Sequence, residues 1–214
     1  LKALPNWGFK MEKAKLDLSD TKNIEGIVFP EIYHTQGLLQ GNDNLWRGFH
    51  SNEVRVLLPP EFKKKGSEER IAIGARNIFI DNFGVSGDFY ATNVLDINEG
   101  DASKWQISVD SIGVDLKVNR FIKGGFNGEI VLPISDKNSA GGKLAYRGLI
   151  TADQFYSVNV EAVEDVSFDV FKAKAKIFQG SYVTLEVENN KFYPEANLTG
   201  LMSVRPSQDE QFNS

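Results

Sequence analysis

The sequence predicts an all-β protein: antiparallel strands in consecutive hairpins, packed as a β-sandwich or drawn out as an elongated repetitive sheet, with almost no helix. Three observations carry this. In residues 105–133, Ile107 and Val109, then Val114, Leu116 and Val118, recur at every second position, the period of a strand with one buried face. No segment of ten or more residues holds the i, i+3, i+4 spacing of an amphipathic helix. An apolar residue also stands two before a glycine at Ile24-Glu25-Gly26, Trp46-Arg47-Gly48, Val85-Ser86-Gly87, Phe126-Asn127-Gly128, Tyr146-Arg147-Gly148 and Leu198-Thr199-Gly200. Most gaps between these glycines lie near one or two multiples of about twenty residues, the self-similarity expected of stacked supersecondary units.

Taken in order, Ala14, Leu16 and Leu18 alternate into a first strand, and a second surrounds Gly26 and closes at Phe29-Pro30. Proline lacks the N–H that a ladder needs, so apolar-Pro pairs mark strand ends or sheet edges, here and at Leu58-Pro59, Leu132-Pro133 and Tyr193-Pro194. Residues 31–52 hold His34, His50 and a run of Gly, Asn and Asp, which predicts a loop or two short strands. Val54, Val56 and Leu58 form the next strand, 60–70 a charged connection, 71–95 three strands and 96–104 a polar loop. Within the central stretch, Ser111-Ile112-Gly113 supplies a turn or bulge, and Asn119-Arg120 and Gly124-Gly125 supply the reversals. A turn-forming linker over 135–143 precedes strands at 144–150, 156–160, 168–170, 173–177, 182–187 and 192–204. Lys172, Lys174 and Lys176 line the opposite face of one of these, a device that discourages edge pairing. The chain divides into an N-terminal β segment with a loop-rich insert (1–69), a repetitive β domain (70–204) and a polar tail (205–214).

Composition narrows the function classes. A chain of 214 residues is long enough to bury a real core. No apolar run approaches the ~20 residues of a membrane helix, so no membrane span is expected. A net charge of −5 opposes nucleic acid, and the one basic run, Lys63-Lys64-Lys65, is offset by Glu68-Glu69. The absence of cysteine excludes disulfides, thiol catalysis and Cys-ligated metal. The chain opens at Leu1 without a signal segment and reads as a piece of a longer or processed polypeptide, so it carries no legible address.

Candidate chemistry is sparse. Two histidines sixteen positions apart, with no H-E-x-x-H, make no zinc site. There is no Gly-x-Ser-x-Gly, and Ser86 already occupies a signature position. Asp96-x-Asn98-x-Gly100-Asp101 begins like a calcium loop, but its glycine is one place early and Ile107 stands where the twelfth-position acid belongs. No catalytic residue, metal or cofactor is therefore expected, and the chain does not read as an enzyme. The remaining candidates are aromatic: Trp7, Trp46, Trp105 and Tyr90, with Tyr33 and Tyr156, would stack on sugar rings if they shared one exposed face, and would otherwise serve packing.

The wording FNGEIVLPIS and the recurring apolar-x-Gly strands resemble the β-repeat regions of very large proteins of Bacteroidota-type bacteria, and more distantly the repeating strands of AsmA- and TamB-like lipid-transfer proteins. The resemblance covers residues 70–204. It implies an extended or sandwich-like β assembly in a long export-associated or surface protein, which favours an extracellular or cell-surface location, and it implies no catalytic residue. A lipid conduit needs an uninterrupted apolar inner face, and Asp110, Asp115, Lys117 and Arg120 crowd the central stretch. The expected function is a non-enzymatic structural or binding segment of a larger bacterial protein, with protein partners or self-association. The alternatives are a carbohydrate-binding module using exposed aromatics on polysaccharide, and a cargo or passenger portion of a secretion or injection machine.

Overall fold

Alternating side chains and tight reversals leave this chain one economical arrangement, a largely meandering sheet in which most ladders join strands close in sequence. The computed structural model describes residues 6–19, 21–63, 69–102, 105–132, 142–170 and 173–204. Its elements are β1 (Gly8–Glu12), β2 (Lys15–Asp17), the single-turn helix α1 (Ile32–Thr35), β3 (Gly48–Leu57), β4 (Ala72–Asp81), β5 (Gly84–Leu95), β6 (Asp101–Ala102), β7 (Trp105–Ile107), β8 (Val109–Lys117), β9 (Arg120–Val131), β10 (Lys143–Thr151), β11 (Tyr156–Ala162), β12 (Val166–Val170), β13 (Ala173–Ile177), β14 (Tyr182–Glu188), β15 (Lys191–Asn197) and β16 (Gly200–Val204). All pairings are antiparallel. A 13-stranded sheet follows the order β1-β3-β4-β5-β8-β9-β10-β11-β14-β15, with β2, β6 and β7 on its flanks, and β12-β13-β16 form a second, three-stranded sheet. The fold is all-β with almost no helix.

The two sheets share their strands. β11 leads into β12, β13 into β14 and β15 into β16, so three long ribbons cross from one sheet to the other in the same lateral order. The crossing sits where Gly180 takes φ +82° and Ser181 is buried. There the Ser181 hydroxyl donates to the Thr199 carbonyl and accepts from the Thr199 N–H, while Gly180 N–H donates to the Ala162 carbonyl. Backbone groups that leave one ladder thus find partners before entering the next.

Several local expectations are corrected. Residues 71–95 form two strands, not three, because the only reversal is the Asp81–Gly84 turn, where the Asp81 carboxylate accepts from the N–H groups of Phe83 and Gly84. Ser111-Ile112-Gly113 and Gly124-Gly125 lie inside paired strands, and the central reversal is made by Val118 (φ +52°) and Asn119 (φ +60°). Two positive φ values in succession are the backbone of a type I′ hairpin, whose twist matches the flanking strands; Asn189 and Asn190 repeat it. The strand expected around Gly26 is a loop instead, since Ile27 and Phe29 pack into an aromatic core. Conversely, β1 forms ahead of Ala14, where the sequence predicts the first strand to begin. Leu58-Pro59 does follow a strand end, and Pro194 sits within β15, an edge strand where a missing donor is tolerated. The large sheet runs across residues 69 and 70, because β3 pairs with β4 from Gly48↔Asp81 to Leu57↔Ala72. Lys64, Lys65, Pro133, most of the 135–143 linker, Lys172 and the tail from 205 lie outside the described residues.

The one deep core lies at the tight-turn end. The loop between β2 and β3 folds back so that Tyr33, Leu39 and Trp46 enclose Phe79, with Phe29, Phe83 and Val118 packed around them. A bulge at Asn77 (φ +49°) turns Phe79 toward this loop. Asp81 binds the assembly together: one carboxylate oxygen accepts from Trp46 Nε1 at 2.7 Å and from the Tyr33 hydroxyl, and the other holds the β4–β5 turn. Burial, followed by the Asp81 carboxylate, pushes the Tyr33 phenol well above its ordinary range, so it remains a donor at any physiological pH.

Glycine spacing has a packing reason. On β9 and β10, Phe126 is opposite Gly148 and Tyr146 opposite Gly128, so each ring lies across the neighbouring strand's glycine. A Cβ at Gly148 would come 2.3 Å from the Phe126 ring, whereas one at Gly113 would meet nothing nearer than 3.7 Å. Gly148→Ala should therefore destabilise by about 1–3 kcal/mol through overpacking, and Gly113→Ala should stabilise by about 0.5–1 kcal/mol, both measured by urea denaturation. Asp81→Ala, which strands the Trp46 and Tyr33 donors, should cost about 3–5 kcal/mol in the same assay.

Candidate functional site

The register places residues on two faces with unlike chemistry. One row across the large sheet reads Phe9, Val56, Ile73, Ala91, Ile112, Phe126, Gly148, Val158, Leu185, Pro194. The next row on that face reads Met11, Val54, Ala75, Phe89, Val114, Gly124, Ile150, Tyr156, Val187, Phe192. Two rows thus cross ten strands without a charge or an amide side chain. Strands lie ~4.8 Å apart, so this apolar face is roughly 45 Å across. It is open to solvent over much of its width, with Phe9 55 %, Ile112 43 %, Val158 41 % and Phe192 69 % exposed, while Ala75 is buried between its neighbours. The largest apolar patch of a soluble monomer is typically ~300–600 Å² and often functional.

Three of the charges that argued against such a face, Asp115, Lys117 and Arg120, point the other way. Asp115 pairs with Asp88 and Lys123, one residue out of step with Val114, and Lys117 reaches both Asp115 (2.8 Å) and Asp88 (3.9 Å). Asp110 borders a depression with Asn127, Glu129 and Arg147, and Arg120 begins β9 at the hairpin end. The two rows are therefore uninterrupted, because alternation segregates Asp115 and Lys117 from Val114 and Leu116 and Arg120 pairs with Lys117, while Asp110 shares the parity of Ile112 and stands one row beyond them.

The opposite face is polar. Between the two apolar rows runs Lys10, Arg55, Gly74, Tyr90, Gly113, Gly125, Leu149, Ser157, Glu186, Tyr193, and beside it Glu12, Glu53, Arg76, Asp88, Asp115, Lys123. The Tyr90 hydroxyl donates to Glu53 at 2.7 Å, and the Arg76 guanidinium lies 4.5 Å above the Tyr90 ring. The hydrogen bond from Tyr90 holds the Glu53 carboxyl below its usual range; burial and Glu53 raise the Tyr90 phenol. Over Gly113 and Gly125 the face sinks into an open depression of about 420 Å³.

The aromatic candidates do not converge. Trp46 and Tyr33 are fully buried in the core and are unavailable to stack on a sugar; their role is packing. Trp105, 46 % exposed, lies on the short strand β7, and Trp7 is half-buried just before β1. Tyr156 belongs to the apolar face, so Tyr90 alone occupies the polar depression. His50 is buried against Phe79, with 4.4 Å between ring centroids, and its Nδ1 lies 3.1 Å from the Ile78 carbonyl oxygen, while His34 is on the helix surface 3.6 Å from Asp43. Asp96 uses its carboxylate to accept from the Asn98 N–H and side-chain amide, closing its own loop. Among the described residues no three His, Asp or Glu side chains gather as a metal site, and no helix is long and apolar enough to cross a membrane.

No protein-family model, curated protein or solved structure matches the chain.

Two features were missed in the sequence. The apolar face needed cross-strand register, and the depression was hidden because Gly124-Gly125 resembled a turn. Burial holds the His50 imidazole below its ordinary range, so the unfolded chain binds its proton more readily and stability falls as pH drops below about 6.5. The thermal midpoint should decline between pH 7 and pH 5.5, and His50→Asn should flatten that part of the profile.

Proposed function

We propose that this chain is a non-enzymatic binding segment of a larger bacterial surface or export-associated protein, and that its apolar face is the working surface, taking the acyl chains of lipids. The observation that carries this reading is the pair of uncharged rows crossing ten strands while the reverse face is polar. Within the two rows Tyr156 carries the one side-chain polar group, and in the adjoining row Tyr146 already donates its hydroxyl to the Ser108 carbonyl at 2.6 Å. A ligand there finds dispersion and water release but almost no hydrogen-bond partner. Saturated hydrocarbon is the occupant that needs none, whereas the polar groups of a protein loop would be left unpaired at a cost. The resemblance to lipid-transfer repeats points in the same direction.

The test is binding of a fluorescent acyl-chain phospholipid to the whole chain, with mass spectrometry of lipids retained after purification. Ile112→Asp together with Val158→Asp should lower affinity about tenfold or more with an unchanged far-ultraviolet spectrum, because both side chains are already exposed. Lys123→Glu on the polar face should leave lipid binding as it was. Equal loss from both faces, or no retained lipid, defeats the reading.

A further inference from the structure

The glycines of the large sheet divide into those a side chain covers and those nothing covers. Gly74 lies under the Tyr90 ring, Gly128 beneath the Tyr146 hydroxyl, Gly148 under Phe126, and Gly124 beside Phe121. Gly113 and Gly125, directly opposite each other on β8 and β9, meet only backbone. Because the Tyr90 ring leans toward Gly74, it leaves their side bare. An interior strand glycine weakens a sheet and marks a place where something approaches the backbone closely. Here the bare backbone forms the floor of the polar depression, which Tyr90 and Leu149 bound across the strands.

Its walls carry unsatisfied charge. Asp88 and Asp115 are engaged by Lys117. Arg147 and Lys123, on opposite rims, make no ion pair with any described residue. Asn127 uses its side-chain oxygen to accept from Ser111, so what it has left to offer is its amide N–H donors. The depression therefore offers a flat C–H floor, an aromatic edge, an aliphatic edge, amide donors and two free cations. That set matches a pyranose ring bearing an anionic group: the ring's apolar face lies on glycine Cα–H groups, its hydroxyls meet the amide, and its carboxylate meets a guanidinium.

We infer that the Gly113–Gly125 depression on the polar face binds acidic saccharides, pyranosides carrying a carboxylate, independently of the apolar face. The site is distinct from the proposed lipid surface, which lies on the other side of the same strands, and neither reading requires the other.

Isothermal titration of the whole chain with trigalacturonic acid, and with neutral maltotriose as the comparison, tests it. Saturable binding of the acid, weakened by salt and at least about tenfold tighter than the neutral sugar, is expected. Gly113→Val fills the floor where a Cβ has room, and Arg147→Ala removes a rim cation that is exposed and pairs with no described acid; each should cost about tenfold in affinity while urea denaturation shows the fold retained. Lys123→Ala provides a second rim variant should Gly113→Val unfold. Absence of binding, equal affinity for maltotriose, or indifference to both Gly113→Val and Arg147→Ala overturns the inference. Lipid binding measured on Gly113→Val separates this outcome from failure of the acyl-chain reading.

Discussion

Everything in this molecule depends on keeping one alternation in phase across ten strands. A slip of a single residue in any pairing would turn that strand's apolar set to the polar side and bring charges such as Asp115 and Lys117 beside Val114 and Leu116. The chain fixes phase at its reversals. Val118-Asn119 and Asn189-Asn190 are two-residue turns with both φ values positive, which set the register of the strands they join. Val118 is a β-branched residue in a conformation such residues avoid, and its side chain packs against the aromatic core, an interaction that offsets the strain. Where the phase must change, bulges do it: the one at Asn77 lets the outer part of β4 present Phe79 to the core loop.

The aromatic core and the open sheet are complementary solutions to stability. Along most of its length the large sheet has no second layer among the described residues, and its strands are held by ladder hydrogen bonds and by side chains touching along each row. At the turn end the loop bearing Tyr33 and Trp46 supplies the missing layer, and Asp81 couples it to the β4–β5 hairpin through both carboxylate oxygens. Farther along, aromatic side chains close the gaps that strand glycines open, as Phe126 does for Gly148 and Tyr146 for Gly128. Each ring substitutes for the absent side chain of the neighbouring strand.

Much of the fold was legible because alternation is a local property. Val54 and Val56, Val114 and Leu116, and Val183, Leu185 and Val187 announce their strands without reference to anything distant. What stayed hidden required knowing which strand lies beside which. Gly124-Gly125 has the composition of a turn, and only the opposition of Gly125 to Gly113 shows it to be a strand interior. The charges at Asp115 and Lys117 read as interruptions of an apolar surface in the sequence, since a linear string does not display its two sides separately. Trp46 has the residue type for sugar stacking, and its contacts with Phe29 and Phe79 place it in the core instead. Ile27 and Phe29 have strand-like sequence yet serve the same core from a loop, a tertiary demand that outweighed local propensity.

A sheet this wide with one uncharged, solvent-open face is costly to keep in water, and natural sheets ordinarily blunt such exposure with lysines, prolines or a covering layer. This chain applies those devices selectively. Pro194 sits on the edge strand β15, and Lys174 and Lys176 line one side of the small sheet, yet neither apolar row contains a single lysine. The polar face, by contrast, carries ion pairs such as Lys143 with Glu129 and Lys117 with Asp115. Were solubility the only constraint, a few charged substitutions at Ile112, Val158 or Leu185 would relieve the exposure at little cost to the ladders, since these side chains already stand in solvent. Their uniform absence from both rows is what the proposed acyl-chain surface would require, since a single charge there would have to be desolvated against hydrocarbon.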